Sequence, residues 1–64
     1  MWTTIYMATG KKEVEQVKSI LKNEGFLVKT KFALNDGRED LYEILAPEFE
    51  AEDIRELLRE LNIY

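Results

Sequence analysis

The chain has no histidine, no cysteine, one proline, three glycines and a single tryptophan in 64 residues. Each shortage narrows what the protein can be. Without cysteine there are no disulfides and no thiolate metal sites, so stability must come from packing or from self-association. Without histidine or cysteine the usual bases and nucleophiles are missing. The one serine, Ser19, falls inside a helical stretch with no base near it in sequence. No catalytic residue, enzyme activity or cofactor is therefore expected. The opening MWTTIYMATG has no charged leader and no cleavage signal. No apolar run approaches the ~18 residues needed to span a bilayer. A cytoplasmic protein without membrane contact is the expectation, and the lack of cysteine suits a reducing compartment.

Charge of one sign is scarce in each half. Residues 1–34 hold six lysines against three glutamates, for +3, whereas residues 35–64 hold three arginines against ten acids, for −7. An acidic total disfavours general nucleic-acid binding, which rests on neutralising phosphates with a basic surface. The polarity suits either a solvated acidic helix face or a contact with a basic partner, including another copy of the chain.

Hydrophobic periodicity orders the chain as one domain over residues 1–64. Thr3 to Ala8 is short and rich in β-branched and aromatic residues, and Thr9 and Gly10 stop it; it reads as a strand. KKEVEQVKSILKNEG then changes period, with Val14, Val17, Ile20 and Leu21 at helical spacing. Thr9 or Gly10 can cap that helix, and Gly25 suits the left-handed residue that ends it. FLVKTKFAL returns to a period of two and predicts a second strand, and DLYEILA, Asp40 to Ala46, a third. Pro47 closes the third strand because proline cannot donate to a ladder and presets a helix-compatible φ. A second helix follows to about Leu61, with Ile54, Leu57, Leu58 and Leu61 on one stripe and acids in its first turn, where the helix dipole favours them. Asn62, Ile63 and Tyr64 leave at most a stub of a fourth strand.

The fold class is therefore α+β, a truncated ferredoxin-like β-α-β-β-α. A right-handed crossover joins strands one and two and leaves room for strand three between them, giving sheet order 1-3-2. Each helix has one apolar stripe, so both should cover the same sheet face and leave the other open. The hairpin LNDGRED decides which side chains go where. A two-residue turn on Asp36 and Gly37 would set Phe32 opposite Leu41 and Val28 opposite Leu45. A three-residue loop on Asn35, Asp36 and Gly37 would set Thr30 opposite Tyr42, Val28 opposite Ile44 and Lys29 opposite Glu43. The second is preferred: it gathers Phe26, Val28, Phe32, Tyr42 and Ile44 on one face, and a left-handed Gly37 suits the usual three-residue hairpin.

The open face is then expected to carry Leu27, Lys29, Lys31, Leu41, Glu43 and Leu45. If Ile5 and Met7 point to the helices, Trp2, Thr4 and Tyr6 join it. Trp2, Tyr6, Leu27, Leu41 and Leu45 would form an apolar contact patch, with Lys29, Lys31 and Glu43 fixing orientation. The first strand would also keep one unpaired edge. Asp36, Glu39 and Asp40 lack the spacing of a calcium loop, so no metal site is expected there. TGKK, with Gly10, Lys11 and Lys12 after a strand and before a helix, is a candidate anion site. It is not a P-loop, which would need glycine at Ile5 and Ser or Thr at Lys12.

IYMATGKKEVEQVKSILKNEGFLV, a short hairpin and then YEILAPEFEAEDIRELL resemble a small bacterial family of prokaryotic signal-transducing proteins. Glu24 and Gly25 match its helix stop, and Ala46, Pro47 and Glu48 its second helix start. The resemblance covers nearly the whole chain and rests on structural motifs. It implies a ferredoxin-like fold distantly similar to the trimeric nitrogen-regulatory PII proteins, whose long effector loop has no counterpart here. No catalytic residues carry over. The expected function is a regulatory, signal-transducing domain acting through protein contacts, including a homodimer. The alternatives are a sensor of a small anion or nucleotide at Gly10 to Lys12 and, third, a single-strand nucleic-acid reader that stacks bases on Trp2 and Tyr6.

Overall fold

The computed structural model describes residues 1–63. Strand β1 spans Trp2–Thr9, helix α1 Gly10–Asn23, strand β2 Lys29–Asn35 and strand β3 Asp40–Pro47; a 3-10 turn over Glu48–Glu50 leads into helix α2, Ala51–Glu60. The sheet order is β1-β3-β2, with β3 antiparallel to both neighbours. This is the expected truncated ferredoxin-like layout. Asn62 and Ile63 are not in a strand, and Tyr64, the last residue of the suggested stub, lies outside the described residues.

Both helices end by the same device. The Phe26 amide reaches the Leu21 carbonyl at 3.0 Å while Gly25 sits at φ +92°, and the Ile63 amide reaches Leu58 at 2.9 Å across Asn62 at φ 59°. A left-handed residue followed by an apolar one satisfies the last carbonyls and turns the chain back onto the core. Phe26 accordingly packs against the core, as expected, and so does Ile63.

The core lies between the helices and one sheet face. Val14, Val17 and Leu21 of α1 and Ala51, Ile54 and Leu58 of α2 are buried against Ile5 and Ala8 of β1 and Ile44 and Ala46 of β3. Leu57 packs against this cluster, whereas Leu61, the last member of the predicted stripe, caps the helix and is exposed. The helices barely reach β2, whose residues are exposed apart from the half-buried Ala33. Phe32, expected in the core, is 53% exposed and instead meets the Tyr42 ring edge-on at 5.9 Å.

The predicted hairpin register needs correction. The partners are Thr30 with Ile44, Lys31 with Glu43 and Phe32 with Tyr42, not Thr30 with Tyr42, and Val28 precedes the strand. The loop holds four residues, Asp36 to Glu39, and the ladder shifts between Phe32 and Leu34, leaving Ala33 as a bulge. Asparagine and aspartate side chains set this length: Asn35 Oδ1 accepts the Gly37 amide at 2.7 Å, Asp36 Oδ1 accepts those of Arg38 and Glu39 at 3.0 and 2.9 Å, and Asn35 Nδ2 donates to Asp40. Local side-chain to backbone bonds outcompete the tighter turn.

A second bulge corrects β1. Thr4 pairs with Leu45 and Tyr6 with Ile44, so Ile5 is the extra residue. Strict alternation fails there: Ile5 stays in the core, but Met7 turns to the open face and Tyr6 to the helix side.

Candidate functional site

Three rows cross the open face. Thr4, Leu45 and Lys29 form the first, Met7, Glu43 and Lys31 the second, and Thr9, Leu41 and Leu34 the third, with Trp2 and Pro47 at the β1 start. Antiparallel neighbours directly opposite each other share a face, so the rows follow from the register. Six of the eight expected contact residues lie together here: Trp2, Lys29, Lys31, Leu41, Glu43 and Leu45. Tyr6 does not, because the Ile5 bulge reverses its side. Leu27 precedes β2 and stands exposed beyond the first row. Met7, Thr4 and Leu34 complete the surface. Strict alternation puts Met7 on the helix side, and a bulge without glycine leaves no residue-type signal for its reversal.

Two contacts order the face. Lys29 Nζ stands 4.1 Å from the centroid of the Trp2 ring, a cation over a π face. The Thr4 hydroxyl donates to Glu43 Oε1, which fixes the half-buried carboxylate in the middle row. Lys31 is opposite Glu43, yet the one ion pair within 4 Å among the described residues is Glu52 with Arg55, at 3.6 Å. The edge of β1 is not bare at Thr4, whose carbonyl accepts from Arg55 of α2 at 3.4 Å.

Tyr6 lines an open groove of about 870 Å³ instead, with Val17 and Ile20 of α1 and Ile63 as its apolar walls and Lys12 and Glu13 on its rim. At the start of α1, Lys11 and Lys12 are exposed, but the Glu13 carboxylate accepts the Thr9 amide at 2.7 Å. A carboxylate of the chain itself thus occupies one donor that an anion would use. In the hairpin, the carboxylate of Asp36 is held below its usual value of 3.8, first by the Glu39 amide and then by that of Arg38. No group of acids there or elsewhere among the described residues is arranged to hold a metal ion. No helix among the described residues is long and apolar enough to cross a membrane.

One exposed aromatic lies outside every face that the sequence periodicity predicts. Phe49, in the turn before α2, is 84% exposed and flanked by Glu48 and Glu50. Its place one step off the α2 stripe was the available signal, since an aromatic between two glutamates outside the apolar period has no core position to fill.

Compared with protein-family models, curated proteins and solved structures, the chain matches none of them.

Proposed function

We propose that this is a non-catalytic interaction domain with a regulatory, signal-transducing role, whose open sheet face receives a protein partner. The observation that carries the reading is the one-sided sheet. Two helices bury the β1 and β3 part of one face, while the other presents Trp2, Met7, Leu34, Leu41 and Leu45 around a fixed glutamate and two lysines. Contiguous apolar surface framed by polar residues is characteristic of contact sites. The chemistry-poor composition and the resemblance to small signal-transducing proteins support the same reading.

The experiment is affinity capture from native cells with the wild-type chain and with Leu45→Asp, which places a charge in the first row without touching the core. A partner held by wild type and lost by a folded Leu45→Asp protein supports the proposal. A partner held equally by both, or none held by either, rejects it.

A further inference from the structure

We infer that a second copy of this chain docks end to end on the first, the acid-flanked Phe49 of each seated in a lysine-rimmed apolar hollow of the other. This surface is separate from the open sheet face and does not rest on it. Met1, Phe49 and Leu27 are the three most exposed large apolar side chains among the described residues, at 96, 84 and 65%. All three gather at one end of the fold. Trp2 pairs with Pro47, the Glu48 amide donates to the Met1 carbonyl at 2.8 Å, and β2 begins where Lys29 meets Leu45. The beginning of β1, the end of β3 and the lead into β2 therefore lie side by side.

A hollow of about 360 Å³ lies at the lead into β2, lined by Phe26, Leu27, Val28 and Gly25, with Lys18 and Lys22 of α1 on its rim. It has room for an aromatic ring, and its charge is opposite to that around Phe49. Among the described residues, Lys18, Lys22, Glu48 and Glu50 make no ion pair. Each half of the contact is thus present on the same molecule: an aromatic knob between two carboxylates, and an apolar hollow beside two ammonium groups.

Placing both at one end has a geometric consequence. A two-fold axis midway between knob and hollow brings each Phe49 to the other copy's hollow at once, so the contact closes as a dimer and does not propagate into a fibre. The aromatic anchor supplies apolar area at low entropic cost, and the charges set orientation and association rate. A pair of small ends buries less than the ~1,200 Å² of a standard interface, so the dimer is weak and salt-sensitive.

Sedimentation of the full chain at low salt, at concentrations up to about 1 mM, tests this. Wild type should pass from monomer to dimer. Phe49→Ala, which removes no core contact, should weaken association roughly tenfold to thirtyfold with its thermal melt as a monomer unchanged. Lys18→Glu with Lys22→Glu, and Glu48→Lys with Glu50→Lys, should each fail to self-associate, and a mixture of the two should form the heterodimer. A strict monomer at the highest concentration, or a dimer indifferent to Phe49→Ala, overturns the inference. So does a dimer lost on Leu45→Asp and kept on Phe49→Ala, which would assign self-association to the open face.

Discussion

At the scale of single residues, the informative side chains are those whose partners are local and nameable. Trp2 is the only tryptophan, and it reports on Lys29 because the ammonium stands over its ring. Lys29→Met keeps the apolar stem and removes the charge, so the expected loss is that of an exposed cation–π contact, about 0.5–1 kcal/mol. A changed Trp2 emission together with a shift of that size in urea unfolding checks it; an unchanged spectrum would show that the ring does not feel the cation. Asp36 gives a prediction about acid. Its folded-state pKa is lowered because the carboxylate accepts amide hydrogen bonds from Glu39 and Arg38. A carboxylate lowered by folding contributes stability that is fully present above its usual value of 3.8 and is lost as the pH falls through the lower folded value. The hairpin should therefore hold its geometry through mild acid and loosen only below that value. Amide shifts of Arg38 and Glu39 followed against pH should titrate below those of an unstructured peptide of the same sequence.

At the scale of elements, helix stops were legible and strand pairings were not. Gly25 could be read as the end of α1 because only a left-handed residue turns the chain there, and its φ of +92° makes that concrete. A Cβ added to Gly25 would meet no atom within 4 Å, so Gly25→Ala costs backbone strain alone. That cost is about 1–2 kcal/mol. In a domain of this size each kcal/mol should lower Tm by roughly 4–8 °C, read directly from a thermal melt. The strands behaved differently because each bulge inserts a residue that no glycine or proline announces. The four-residue loop moves the β2 partners three positions from the preferred three-residue loop and the Ala33 bulge takes one back, a net shift of two, which preserves faces. That is why Lys29, Lys31, Glu43 and Leu45 still share the open side although no expected pair survived. Ile5 inserted a single residue within β1, and a shift of one reverses faces, which moved Tyr6 and Met7 to opposite sides from those expected. Composition and period thus identified the layers. The hydrogen-bonding competition of Asn35 and Asp36 decided the register, and it depends on geometry that spacing does not encode.

At the scale of the whole molecule, the chain is close to the smallest object that can hold a core of its own. Its Cα radius of gyration is 11.3 Å, near the roughly 10.7 Å expected for a compact chain of this length. It therefore closes on itself and does not need an intertwined partner to become compact. The margin is thin: a single core in a domain of this size supplies about 3–5 kcal/mol. Ile44 is the most exacting test of that margin. It sits fully buried on the central strand, paired with Tyr6 on one side and Thr30 on the other, beneath the helix layer. Truncation to alanine removes packing that β1 and α1 both use, and substitutions of this kind cost about 2–5 kcal/mol. Ile44→Ala should thus lie near its unfolding midpoint at room temperature, with a large unfolded fraction, whereas Ile44→Val, at about 0.5–1.5 kcal/mol, should stay folded with a lower urea midpoint. Far-UV circular dichroism of the two variants distinguishes these outcomes. An Ile44→Ala protein as stable as Ile44→Val would mean that stability comes from elsewhere, and the end-to-end contact is the place to look, because binding between folded copies raises Tm with concentration. Repeating the melt across a range of concentrations, with Phe49→Ala alongside, separates a core that suffices alone from one completed by its neighbour.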